Sequence, residues 1–154
     1  MPKHIDEIKR KQLMFGLLTE IGIIHQLAAN EFNHRLPEGL HISHFGVISH
    51  LCRVGDGWTP LRIARAFQVT KATMTNTLAK LSARGLIEVK ENPKDGRSKL
   101  VFITPQGRAF QERSIASLKP LIEKMDQDLD LEAIVKILPE LKKLREYFDK
   151  NRTN

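Results

Sequence analysis

Apolar residues recur at three- and four-residue intervals over most of the chain, the spacing of amphipathic helices, and only one short region abandons that period. The first run predicts a helix over residues 5–35, with Asp6 as its cap and His34-Arg35 near its end before Pro37. Leu17, Ile21, Ile24 and Ala28 mark one stripe, and Met14, Leu18 and Phe32 widen it. That is more apolar surface than one small lobe needs, so the helix is either deeply buried in its own core or covered in part by a second subunit. Leu36-Pro37-Glu38-Gly39-Leu40 reads as a turn. Ser43 then opens a second helix through Arg53, with Phe45, Ile48, Leu51 and Cys52 inward, and Gly55-Asp56-Gly57 ends it. Trp58-Thr59 is read as a very short strand.

The following stretch is the most explicit. Thr59 at N-cap and Pro60 at N1 start a helix through Phe67, because the N–H that proline lacks has no helical partner at N1. Gln68-Val69 make a tight turn, Thr70 caps a further helix, and Gly85 closes it. Met74, Leu78 and Leu81 form its single apolar stripe; the opposite face holds Ala72, Asn76, Ala79 and Ala83, flanked by Thr73 and Lys80. This outward face is small and polar and bears no acidic side chain, so it can lie deep in a groove. Leu86-Ile87-Glu88-Val89 and Leu100-Val101-Phe102-Ile103 are strand-like runs joined by a basic segment that holds the turn signals Asn92-Pro93 and Asp95-Gly96. Two braced helices with a hairpin behind them predict a winged helix-turn-helix.

Thr104-Pro105 repeats the cap-then-proline arrangement, and the helix it opens should reach about Gln127, kinked or interrupted at Pro120. Asp128 or Asp130 opens the last helix, where Leu131, Ile134, Leu138, Leu141, Leu144 and Phe148 form a coiled-coil-like seam, with a bend expected at Pro139. Neither this seam nor the first stripe has an evident partner between residues 37 and 104. An isologous two-fold dimer built from residues 1–36 and 105–154 is the economical solution, with 37–104 as a winged helix-turn-helix lobe of one compact domain. The expected fold is therefore mainly α with a small antiparallel β wing.

Charge sharpens the picture. The formal net charge is +7, and residues 70–99 hold seven Lys/Arg against three Asp/Glu, so most of the excess sits on one helix and its wing. Basic charge concentrated beside a groove-sized helix is the footprint of nucleic-acid binding. Asn76 can pair bidentately with adenine, and the methyls of Thr73 or Thr75 can contact thymine. Lys71, Lys80, Arg84, Lys90, Lys94 and Lys99 suit phosphates, which set affinity and salt dependence rather than sequence preference. The single cysteine, Cys52, fits a reducing compartment. No secretory leader and no bilayer-spanning window is read in the chain. A Gly-rich phosphate loop, a nucleophile elbow and a His-Glu metal motif are all missing, so the reading is not that of an enzyme and names no catalytic residue or cofactor.

The segment LRIARAFQVTKATMTNTLAKLSARGLIEV, followed by Asp95-Gly96-Arg97 and by Ile103-Thr104-Pro105 with Gly107, resembles the MarR-type (multiple antibiotic resistance) transcriptional regulators. The resemblance is tight over residues 58–107 and looser outside. It implies a cytoplasmic homodimer on a pseudo-palindromic double-stranded operator, a recognition helix in each major groove and a wing in the neighbouring minor groove. Arg97 is then the minor-groove residue, and Asp95 is similar to the family's carboxylate that orients it by a charge-assisted pair; a plain Asp-Gly turn former is the other reading of Asp95. It also implies a repressor released by a small-molecule or other chemical signal, with an effector pocket where the dimer helices meet the lobe, here near His25, His41, Phe45 and Ile48. Glu38, His41 and His44 form only an incomplete metal cluster, read as ordinary histidines, and Cys52 reads as a small buried residue rather than a sensor. The alternative function is a winged-helix protein–protein interaction module without specific DNA binding.

Overall fold

Three threonines open three helices by the same device. The Oγ1 atoms of Thr59, Thr70 and Thr104 accept from the N–H groups of Arg62 (3.2 Å), Thr73 (3.1 Å) and Gly107 (3.0 Å). In the computed structural model, which describes residues 6–37 and 39–152, the elements are α1 (Glu7–Asn33), α2 (Ile42–Val54), α3 (Pro60–Phe67), α4 (Lys71–Ala83), β1 (Ile87–Glu91), β2 (Lys99–Ile103), α5 (Pro105–Ala116), α6 (Lys119–Asp128) and α7 (Leu131–Lys150). The fold is the expected one, mainly helical with a two-stranded antiparallel wing. The chain divides into two compact units, Met1–Ser117 and Leu118–Asn154.

In the first unit the core lies between α2, the α3–α4 pair and the root of the hairpin. Val47, Ile48, Leu51, Ile63, Leu81, Ile87 and Val101 are among its fully buried side chains. The α4 stripe is buried as its spacing requires, with Met74, Leu78 and Leu81 inward. Gly85, at φ +66°, supplies the left-handed residue after α4, and Leu86 N–H bonds back to Leu81. Gln68 takes the same left-handed conformation, φ 53°, in the tight turn between α3 and α4.

Several boundaries differ from expectation. The α2 helix begins at Ile42 with His41 at N-cap, so Ser43 lies inside it. The His44 ring reaches back to accept from the His41 N–H through Nδ1 at 3.0 Å, doing the work that a glutamate or glutamine does in a capping box. Asp6 stands at the N-cap of α1 without a side-chain cap bond, and the expected first residue, Ile5, lies outside the described residues. Both wing strands run further toward the tip than their apolar runs suggest. Lys90 pairs in register with Leu100 and Glu91 with Lys99, and the Glu91–Lys99 ion pair across the strands favours the extra rungs. Trp58 makes a single bridge to Val101, so the short third strand is one residue long.

The α1 helix buries only Phe32, whose ring meets Phe45 edge-on at 4.7 Å. It also corrects the reading that no window could span a bilayer. By length and composition α1 is such a helix, with an 18-residue window of mean hydropathy 1.2, because Glu20 is the only Asp, Glu, Lys or Arg between Leu13 and Asn30. A helix apolar all round calls equally for a covering of protein.

The helix after the wing is interrupted at Ser117-Leu118, with Pro120 in the first turn of α6. In the second unit the Asp130 carboxylate accepts from Glu132 and Ala133 N–H groups, which makes it the cap of α7. The α7 helix passes through Pro139 as one element, and it leaves Leu131, Val135, Leu138 and Phe148 exposed.

Candidate nucleic-acid interface

The exposed surface of α4 has three strips. Ala72, Asn76, Ala79 and Ala83 form the crest, all exposed as the helical period requires. Lys71, Thr75 and Ser82 lie on the flank toward the wing, and Thr73, Lys80 and Arg84 on the other. The Thr75 hydroxyl donates to Lys71 O at 2.8 Å, and that of Thr73 is paired with Thr70 Oγ1 at 2.9 Å. With its hydroxyl already engaged, each threonine has its methyl left to offer a partner.

Across the wing-side flank the hairpin faces α4 over an open groove of about 780 Å³, whose lining includes Lys71, Thr75, Ser82, Asn92, Arg97 and Lys99. The wing-side flank of α4, with Ala79 of the crest, and the wing tip therefore line one groove of the first unit. The tip is organised by two carbonyl-bearing side chains. Asn92 Oδ1 accepts from Lys94 N–H (3.0 Å) while its Nδ2 donates to Ser98 Oγ (2.8 Å), and Asp95 Oδ1 accepts from Arg97 N–H (3.0 Å). Asn92 was legible in the sequence only as half of an Asn-Pro turn signal, since its partner Ser98 lies six residues away.

The cations of α4 and the wing fall into two groups. Lys90 pairs with Glu88 at 3.0 Å and sits 5.2 Å from the Phe102 ring centre, and Lys99 pairs with Glu91. Among the described residues Lys71, Lys80, Lys94 and Arg97 make no ion pair. The expected Asp95–Arg97 side-chain pair is not formed. The carboxylate instead serves the backbone as a turn former, because a main-chain N–H two residues on is within reach without ordering a long side chain. The Arg97 side chain is thus exposed at the tip.

On the flank away from the wing, the buried His44 faces Lys80 and Arg84. Burial first, then Lys80, His41 and Arg84, hold its pKa below the usual histidine value. His50 is lowered likewise by burial, Arg53 and Arg62, and its ring meets Trp58 edge-on at 4.6 Å. Burial pushes the half-buried Cys52 thiol upward, against the pull of Arg108. The four residues given to an effector pocket have different settings: His25 is exposed on α1, His41 caps α2, Phe45 packs on Phe32 and Ile48 is fully buried. Glu38 of the incomplete metal cluster lies outside the described residues, and among those described no three His, Cys, Asp or Glu are grouped to hold a metal ion.

A braced helix pair with a hairpin wing behind it defines a winged helix-turn-helix. Residues 38–98, the winged-helix region, match the model of the MarR family. An uncharacterized HTH-type transcriptional regulator of Bacillus subtilis (strain 168), YdgG, is 36% identical over 98 residues, which are 60% of this chain and 64% of that protein, so the match spans a little under two thirds of the relative. Among solved structures, the transcriptional regulator BldR from Sulfolobus solfataricus superimposes with a TM-score of 0.70 at 25% identity, covering 90% of this chain and 99% of that one. A mutant MarR from E. coli complexed with operator DNA gives 0.71 at 22% identity, covering 91% and 99%, and shares the fold. These relatives are regulators rather than enzymes.

Proposed function

We propose that this protein is a sequence-specific double-stranded DNA-binding transcriptional regulator of MarR type, working in the cytoplasm as a homodimer on a pseudo-palindromic operator. The observation that carries the reading is the groove of the first unit, with the crest of small residues around Asn76 beside it and, across it, an exposed Arg97 at the wing tip. A narrow crest can enter a major groove, and an unpaired guanidinium suits the negative potential of a narrow minor groove. The match of residues 38–98 to the MarR family, and the operator complex of a protein with this fold, support the same use. In this reading Lys71, Lys80 and Lys94 meet phosphates, and Lys90 and Lys99 must exchange an internal carboxylate for the backbone, so they contribute less. Release by a small-molecule signal completes the proposal, with the surroundings of His25 on α1 and His41 at the start of α2 as the region to probe.

The test is a fluorescence titration of the full chain against a duplex of its own upstream region, at two salt concentrations. Arg97→Ala should weaken binding about tenfold or more while leaving the oligomeric state unchanged, in line with the loss of a charged groove contact. Equal binding of every duplex, with no loss in the variant, would favour the protein-interaction module instead.

A further inference from the structure

The hairpin is attached to the rest of the first unit on two sides. On the inner side, Thr104 N–H donates to Leu86 O at 3.2 Å and Thr104 Oγ1 to Gly85 O at 2.6 Å, which ties the root to the end of α4. On the outer side β2 is a sheet edge, and its N–H groups need partners from elsewhere. The loop between α2 and α3 provides them. Val101 N–H donates to Trp58 O and Gly57 N–H to Val101 O, each at 2.9 Å; one step further along the edge, Ile103 N–H donates to Asp56 Oδ1 at 2.7 Å. Gly55 and Gly57, at φ +91° and +82°, give the loop the two positive-φ corners that turn Asp56 toward the strand. Arg108 from α5 lies 3.9 Å from the other carboxylate oxygen, and the Arg62 guanidinium from α3 stacks 3.6 Å from the Trp58 ring centre. The outer edge of the wing is thereby joined to both α3 and α5 through one short loop.

From this arrangement we infer that Asp56 is a positioning residue for the wing, fixing the tilt at which Arg97 is presented; the inference rests on the DNA-binding reading above. Ile103 is buried, so removing the acceptor strands an amide at the root of the hairpin. Arg97 is six residues further along, about 20 Å of extended chain at roughly 3.3 Å per residue. A rotation of about 10° at the root therefore carries the tip by roughly 3 Å, as far as one hydrogen bond is long. Asp56 does not itself contact DNA in this account, and it acts through Arg97.

A double-mutant cycle on the full chain tests it, using the upstream duplex and amide hydrogen exchange in parallel. Asp56→Ala should lower affinity about tenfold, and in that background Arg97→Ala should cost much less than it does alone. Asp56→Asn keeps an oxygen that accepts from Ile103 N–H, and should restore most of both the affinity and the protection of that amide. Exchange at Ile103 and Val101 should quicken in Asp56→Ala and not in Asp56→Asn. If Asp56→Ala does not fold, Asp56→Glu, one methylene longer, enters the same cycle with the same expected loss of coupling. Unaltered affinity with the full Arg97 penalty in both backgrounds overturns the inference. So does unaltered exchange at Ile103. Failure of the unmodified protein to prefer any duplex overturns the DNA-binding reading instead, and the exchange experiment then still decides whether Asp56 holds the wing.

Discussion

At Gly107 the first turn of α5 lies close against the backbone of Leu86. A Cβ built on it would lie 2.1 Å from Leu86 O and 2.9 Å from Ile103 Cγ1, so α5 can start this close to the strand only at a glycine. Gly107→Ala should destabilise the first unit by about 1–3 kcal/mol in urea unfolding, despite alanine's better helix propensity. The pattern that drew attention to Gly107 was visible in the sequence, but its cause was not, because Leu86 lies twenty-one residues earlier. His44 carries a second residue-scale expectation. Its folded pKa is lowered, chiefly by burial and then by Lys80, so the unfolded chain binds a proton first as the pH falls. Stability from this group is complete above about pH 6.5, the unfolded value, and declines as the pH drops from there toward the lowered folded value. The urea midpoint should therefore fall between pH 7.5 and 5.5, and His44→Gln, whose amide can still reach the His41 N–H, should flatten the decline. His50 adds a slope of the same sign, so some dependence should remain. A midpoint indifferent to pH would contradict both assignments.

At the scale of elements, what could be read in advance was what local chemistry decides. Thr59-Pro60, Thr70 and Thr104-Pro105 cap their helices because a hydroxyl needs only its own first turn, and the Met74, Leu78, Leu81 stripe is buried because one helix face must be. The missed boundaries depend on distant partners. The extra rungs of the wing rest on cross-strand register, and the start of α2 rests on a pair of histidines that no common N-cap preference favours. Asp56 belongs with these: a lone Asp between two glycines reads as a helix terminator, and its bond to Ile103 spans 47 positions. Gln68 is a further case, since a two-residue turn was foreseen but not which residue would turn left-handed. Gln68→Gly should relieve that conformation and raise stability by about 1 kcal/mol, seen as a higher thermal midpoint.

For the whole molecule the informative feature is apolar surface left in the open. Leu13, Met14, Phe15 and Leu27 of α1 and Leu131, Val135, Leu138 and Tyr147 of α7 are all exposed. The period of these helices was legible; what covers them was not, because a packing seam names its own residues and not the chain opposite. Under the proposed homodimer, sedimentation should return twice the chain mass, and Leu138→Lys should shift the protein toward single chains and weaken operator binding with it. A single-chain mass for the unmodified protein would remove the two-fold arrangement and the palindromic site together.

The chain has one tryptophan, and it stands at the hinge between hairpin and helix pair, covered by Arg62 and edged by His50. Its indole is a built-in fluorescent gauge, so any change in the seating of the hairpin can be followed in solution by emission alone, without attaching a dye.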